Sequence, residues 1–322
     1  MLKTAVVGVG SLGYHHARLL RTLPGSRLIG IHDSDAERLA RVASELDVRP
    51  ESDLDSLLDA AEACVIAVPT DAHERIATRA LRRGVHVLIE KPIAPTLTAA
   101  DRILTEAEAS GALVQIGHVE RFNGALRACE PYLQRPLFVE SHRLAPFGPR
   151  GTDVAVVLDL MIHDLDLVLS LMKRPVVGIA AVGVPVLTGS PDIANARLEF
   201  EGGGVANLTA SRVSLERMRK IRFFQPSGYI SLDLAAGTGE HLRLRPGASL
   251  DPSVGVRPGR LEDLVERIPL QGDGEEPLAC ELRSFIAAAR GEGEVAVTGQ
   301  EGREALAVAL EIVDRMGSHV SA

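Results

Sequence analysis

Hydrophobic positions in the first 117 residues alternate between two rhythms. Short apolar runs at 3–7, 27–32, 63–68, 85–89 and 112–116 read as buried strands. Between them lie helical runs. One covers 14–23 and stops at Pro24-Gly25, and a second opens at the capping box Ser34-Asp35-Ala36-Glu37. A third starts at Pro69-Thr70-Asp71 and closes at Gly84, and a fourth covers 98–110 and ends at Gly111. Strand and helix in strict alternation predict a parallel sheet wrapped by helices.

After Gly117 the rhythm changes to period two. Ala194, Ala196, Leu198 and Phe200 share one side of a strand, and Asn195, Arg197 and Glu199 the other. Glu201-Gly202-Gly203-Gly204 makes a turn, and Ala206, Leu208 and Ala210 continue the apolar side on the return strand. Segments 220–225 and 229–234 flank another turn at Ser227-Gly228. One-sided alternation with tight turns predicts a mostly antiparallel, open sheet whose apolar face needs cover from a helix or another subunit. Closing helices at about 278–290 and 300–316 are expected to supply part of it, the last with Leu306, Ala309, Leu310, Val313 and Met316 at helical spacing. Residues 246–260 read as a long loop. The division expected is an α/β domain over 1–117 and an α+β domain over 118–322, with the C-terminal helix able to pack back on the first.

Composition narrows the function classes. With 46% apolar residues the chain can fill two cores, and with 3% aromatics and no Trp it must do so with aliphatic side chains. A net charge of −8 argues against a nucleic-acid partner, because phosphate contacts need a basic surface. Cys64, Cys129 and Cys280 are far apart and odd in number, which fits buried thiols in a reducing compartment. Gly8 to Gly13 interrupts any signal-peptide core, and the longest apolar stretch, 154–172, carries Asp159, His163, Asp164 and Asp166. A bilayer would penalise those charges, so a cytoplasmic protein without a membrane partner is expected.

Chemistry first becomes visible at the glycines. Gly8-Val9-Gly10-Ser11-Leu12-Gly13 lies between the first strand and the first helix, the context that makes this spacing a dinucleotide-binding turn, and so a Rossmann domain. Gly8 would permit the turn, Gly10 the approach of a pyrophosphate, and Gly13 the packing of helix on strand. Asp33 ends the second strand, where an acid meets the adenosine ribose. It would repel a 2′-phosphate, and no arginine follows it immediately, so NAD is expected over NADP. Pro69, Thr70, His73, Glu90 and Lys91 complete the candidate cofactor contacts. Lys91, between Glu90 and Pro92, falls at the carboxyl edge of the sheet, where open α/β sheets bind ligands.

The stretch 154–172 is apolar nearly all round, yet Asp159, His163, Asp166 and Ser170 fall on one helical stripe, with Asp164 off it. Burying such groups unpaired is costly, so the stripe is expected to line a cleft. An imidazole beside a carboxylate suits removal of a proton from an alcohol. A structural Asp–His pair is an alternative. A metal site would need a third ligand, and none has suitable spacing. Gly117-His118-Val119-Glu120-Arg121-Phe122-Asn123 joins the two domains and offers His118, Glu120, Arg121 and Asn123 as substrate contacts.

Taken together, the glycine turn, Glu90-Lys91-Pro92 and Asp159-x-x-x-His163 resemble the Gfo/Idh/MocA family of NAD(P)-dependent sugar oxidoreductases, over almost the whole chain. The resemblance implies that Lys91 and His163 work at the reacting hydroxyl and that Asp159 contacts substrate or supports the histidine. The segments 117–123, 158–164 and 192–197 look like the branch that oxidises UDP-N-acetylglucosamine at C3 and feeds a transaminase in lipid A biosynthesis. That branch carries Asn-Pro where this chain has Asn123-Gly124. Dehydrogenation of free sugars or inositols, NAD-dependent glycoside cleavage and a non-catalytic NAD-binding regulator are the alternatives. The partners expected are a nucleotide sugar or sugar and a second copy of the chain, as homodimer or homotetramer.

Overall fold

Five strands, β1 (Leu2–Val7), β2 (Ser26–His32), β3 (Ala63–Ile66), β4 (His86–Glu90) and β5 (Val114–Gly117), form a wholly parallel sheet in the order β2-β1-β3-β4-β5. Every residue of β3 is buried, as a strand with helices on both faces requires. The helices are α1 (Ser11–Leu20), α2 (Ala36–Leu46), α3 (Leu54–Ala60), α4 (His73–Leu81) and α5 (Leu97–Ser110). The computed structural model describes residues 1–148, 154–245 and 264–317. It divides into one unit of Met1–Val119 with Glu276–Ala307, and a second of Glu120–Glu275 with Val308–Ala322.

The return of Glu276–Ala307 to the first unit has a packing cause. Helix Pro277–Ala289 buries Ala279, Leu282, Phe285 and Ile286 in the same cluster as Leu19, Leu20 and Leu23. A single cut after residue 117 therefore leaves out part of the first core. Other details also shift. Asp35, not Ser34, caps α2, with its side chain accepting the Arg38 N–H at 3.0 Å. A short 3-10 turn, Thr70–Ala72, precedes α4.

In the second unit eight strands run in the order β13-β12-β11-β10-β6-β9-β8-β7. They are β6 (Phe138–Leu144), β7 (Val176–Val184), β8 (Ile193–Phe200), β9 (Gly204–Ser211), β10 (Met218–Gln225), β11 (Gly228–Asp233), β12 (Thr238–Leu244) and β13 (Val265–Gln271). All pairings are antiparallel except β6 with β9. The alternation of β8 and β9 holds: Ala194, Ala196, Leu198, Phe200, Ala206, Leu208 and Ala210 are buried. The last helix, Gly299–Gly317, supplies part of the cover as expected, with Met316 against Gly183 of β7. More comes from α7 (Ile162–Met172), over β6 and β9, while α6 (Gly124–Cys129) covers β11 to β13. The loop expected over 246–260 lies outside the described residues.

No described helix is long and apolar enough to cross a membrane. All three cysteines are buried and outside any disulfide, and burial pushes the Cys64 and Cys129 thiols up to about 12. Among the described residues no group of three or more His, Cys, Asp or Glu is placed to hold a metal ion.

Candidate active site

The glycine turn is built for tight contact. Gly8 has φ +86°, where an L side chain is strained, and a Cβ there would lie 2.6 Å from the Ala67 carbonyl oxygen. A Cβ on Gly13 would lie 1.8 Å from the Gly8 carbonyl oxygen, so α1 can approach the turn only through glycine. Gly10 differs: nothing lies within 4 Å of a Cβ placed on it. Gly10 is also the N-cap of α1, and no side chain caps that end. Open space in front of an uncapped helix N-terminus fits a pyrophosphate. Ser11 and Leu12 begin the helix there. Gly8 and Gly13 thus make the turn, and Gly10 leaves open space ahead of α1.

Asp33 ends up buried beside the turn. Its Oδ2 accepts the Val9 N–H at 2.9 Å and its Oδ1 the Asp35 N–H at 2.9 Å. Although no arginine follows it directly in the chain, the first turn of α2 brings Arg38 back, with Nη1 3.3 Å from both carboxylate oxygens. Asp33 therefore has a cationic partner from α2. A hollow lined by Val9, Gly10, Ser11, Tyr14, Arg38 and Arg41 opens next to it.

The carboxyl edge of the sheet gathers the other first-unit candidates. Pro69 and Thr70 follow β3. His73, at the start of α4, is buried, with Nε2 3.0 Å from the Val68 carbonyl and Nδ1 3.0 Å from the Pro92 carbonyl. Burial holds its pKa below the ordinary histidine value, outweighing the pull of those two carbonyls. A neutral ring has one N–H, which donates to one of the two. His73 thus ties the ends of β3 and β4 together. The Lys91–Pro92 peptide is cis. Glu90 is buried below Lys91, and its carboxylate faces His16 of α1, with Oε1 2.6 Å from Nε2. His118, one residue beyond β5, is also buried.

In the second unit the stripe is not a uniform lining. Val157–Met161 forms a turn of π-helix ahead of α7, which breaks the regular α-helical spacing behind the i, i+4 argument for Asp159 and His163. Both remain half-buried. Asp166, by contrast, is buried and held by a bidentate Arg121, Nε to Oδ2 at 2.8 Å and Nη2 to Oδ1 at 2.6 Å. Ser170 donates to the Leu167 carbonyl at 2.9 Å. Of the four stripe residues, Asp166 and Ser170 are thus tied to other groups of this unit.

Asp164 has a structural partner. Arg143 of β6 donates to it from Nε at 2.8 Å and Nη2 at 3.0 Å, and from Nη1 to Glu120 at 2.9 Å. Burial pulls the Arg143 pKa down, but Asp164 and Glu120 more than reverse this and keep the guanidinium charged. Asn123 donates to Glu120 at 3.2 Å and to the Leu234 carbonyl at 2.9 Å, and its side-chain oxygen caps α6. Glu120, Arg121 and Asn123 therefore brace this unit around α7, which narrows the expectation that they meet substrate. Arg143 escaped the sequence reading because nothing local pairs a strand arginine with an acid 21 residues away. Gly124 is explained by a crossing: a Cβ on it would lie 2.8 Å from the Gly272 Cα, so a bulkier residue would push the two chains apart.

A glycine turn on a parallel sheet, a lysine at the end of β4 and a separate sheet carrying a buried apolar helix with a few acids and a histidine define a dinucleotide-dependent dehydrogenase. Residues 2–118 match the oxidoreductase family with an NAD-binding Rossmann fold, and residues 115–230 match the GFO/IDH/MocA C-terminal domain. The chain belongs to the Gfo/Idh/MocA family, and NAD is its cofactor. It is 38% identical over 316 residues to UDP-N-acetylglucosamine 3-dehydrogenase from Acidithiobacillus ferrooxidans, covering 97% of this chain and 96% of that one. The crystal structure of that enzyme superposes with a TM-score of 0.89 at 35% identity, over 98% of both chains. Inositol 2-dehydrogenase 2 from Saccharopolyspora erythraea is 34% identical over 219 residues, 63% of this chain and 64% of its own.

Proposed function

We propose that this protein oxidises the C3 hydroxyl of UDP-N-acetylglucosamine to a ketone. The observation that carries the reading is the similarity to the Acidithiobacillus enzyme, which runs nearly end to end where the inositol dehydrogenase match covers two thirds or less. Bound NAD supplies the hydride acceptor. The chain supplies the rest. An imidazole nitrogen of His163 accepts the hydroxyl proton, and Asp159 orients that ring or grips the sugar. The Lys91 ammonium donates to the reacting oxygen and stabilises its developing negative charge. His118 joins them at the substrate, while Glu120, Arg121 and Asn123 hold α7 in place through Arg143, Asp164 and Asp166. Pro69, Thr70 and His73 shape the nicotinamide end of the cofactor site.

The enzyme works in the cytoplasm as a homodimer or homotetramer, and its ketone feeds a transaminase that makes a diamino-sugar for lipid A. Association was expected from the apolar face of β8 and β9, but that face is covered from within. The support moves to the opposite face. There Phe138, Phe224 and Tyr229 stack across β6, β10 and β11 with centroids 5.2 and 5.5 Å apart, and Val177, Val182 and Val184 are exposed on β7. Incubation with NAD and a panel of UDP-sugars, free amino sugars and inositols, read at the NADH absorbance band, tests the assignment. Turnover confined to UDP-N-acetylhexosamines is expected. Preference for inositol or free sugar would replace the reading, and sugar cleavage without net NADH would point to glycosidase chemistry.

A further inference from the structure

A buried ionisable pair in the first unit is one that the reaction above does not use. His16 lies on α1, three residues after the last glycine of the turn, and has no exposed surface. Its Nε2 is 2.6 Å from Oε1 of Glu90, a buried carboxylate at the end of β4. The other carboxylate oxygen accepts the backbone N–H of Lys91 at 3.3 Å. Gly117 on β5 makes room for this carboxylate, since a Cβ there would lie 3.1 Å from its Oε2. The titratable groups that face Glu90 are His16 from α1, Lys91 beside it, and His73 from α4.

Burial alone would raise the Glu90 pKa, but the hydrogen bond and charge of His16, then the charge and N–H of Lys91, hold it below the ordinary carboxylate range. Glu90 is therefore an anion. An anion can only accept, so His16 donates its Nε2–H, and its Nδ1 has no hydrogen-bond partner. A charge this deep would be neutralised if its donor were taken away. That links α1 to the state of the lysine: His16 keeps Glu90 ionised, and ionised Glu90 keeps the neighbouring ammonium protonated.

We propose that His16 is a positioning residue which, by holding Glu90 as a buried carboxylate, sets the place and the protonation of Lys91. The inference rests on the role given to Lys91 under the proposed function. It also explains why a histidine occupies a core position on the helix whose other end faces the cofactor phosphates.

The test compares His16→Leu, His16→Gln, Glu90→Gln and the double variant His16→Leu/Glu90→Gln in the NAD-bound enzyme. Loss of the carboxylate charge should move the alkaline limb of kcat/KM to lower pH by about 1 unit or more, because an opposite charge nearby favours the protonated lysine. His16→Leu and Glu90→Gln should each show this shift, and the double variant should add nothing to it. His16→Gln, which keeps an N–H donor, should restore most of the limb. NAD affinity should stay within about twofold in His16→Leu. The infrared spectrum at neutral pH supplies a readout apart from activity: a protonated-carboxyl band should appear in His16→Leu and vanish in the double variant. Should His16→Leu fail to fold, Glu90→Gln and His16→Gln carry the pH comparison.

An unmoved alkaline limb in Glu90→Gln, or no new carboxyl band in folded His16→Leu, overturns the inference. Lys91→Ala separates the two levels. If it keeps full turnover, the role of Lys91 itself is wrong, and the carboxyl band still judges the His16–Glu90 pair.

Discussion

Gly10 and Gly13 stand three residues apart in one turn and answer to different demands. A methyl on Gly13 would collide with the Gly8 carbonyl, whereas a methyl on Gly10 meets nothing within 4 Å. Gly13→Ala should therefore destabilise the first unit and lower its melting temperature. Gly10→Ala should leave thermal stability nearly unchanged and weaken NAD binding tenfold or more, because the methyl takes the space left for phosphate. Calorimetric melting paired with NAD titration checks both, and equal behaviour of the two variants would refute the assignment of roles. The glycines were legible in the sequence because their spacing is local. The surroundings of Asp33 were only half legible. Its position at the end of β2 follows from the rhythm of the strand, but the return of Arg38 depends on where α2 begins. That start moved by one residue when Asp35 took the cap from Ser34.

At the scale of elements, α7 shows how far a periodic pattern reaches. Within the stretch 154–172, the π turn Val157–Met161 and α7 form a largely buried helical segment, as its apolar surround implies. The polar stripe is subtler, because a π turn interrupts the α-helical spacing, Asp166 is held by Arg121 from before α6, and Ser170 bonds back to its own helix. Sequence spacing counts residues along a helix and is blind to an arginine arriving from β6 or from the segment before α6. Those arginines make a firm prediction. Asp164→Ala leaves the buried Arg143 paired with Glu120 alone of its two carboxylates, and breaking a buried pair of this kind costs about 3–5 kcal/mol. Urea denaturation should show a loss of that order, and a much smaller loss for Glu106→Ala, which removes an exposed pair with Arg82. Equal losses would mean that the buried network contributes little to stability.

For the whole molecule, the parallel character of the first sheet was legible, and the division of labour between the helices was not. Helix Pro277–Ala289 has an apolar side that suits either sheet, and only packing sends it to the cluster around Leu20. The open sheet shows the same limit. Alternation in β8 and β9 identifies a buried side, but whether a helix or a second subunit covers it depends on the path of α7. The outer row of Phe138, Phe224 and Tyr229 spans three strands and so forms no pattern along the chain. Association through that face predicts a mass by light scattering of two or four chains at micromolar concentration. Replacing Phe224 by a charged residue should shift the mass toward one chain, and an unchanged mass would place the interface elsewhere.

The claim that joins these scales is hydride transfer from C3 of the sugar. It is tested most directly with UDP-N-acetylglucosamine deuterated at C3 alone and NAD in a single turnover, with mass spectrometry of both products. The account predicts that deuterium leaves the sugar and appears in the reduced nicotinamide, with a 3-keto sugar as partner. Reduced cofactor without label, or a keto sugar that still carries the C3 deuterium, would contradict it.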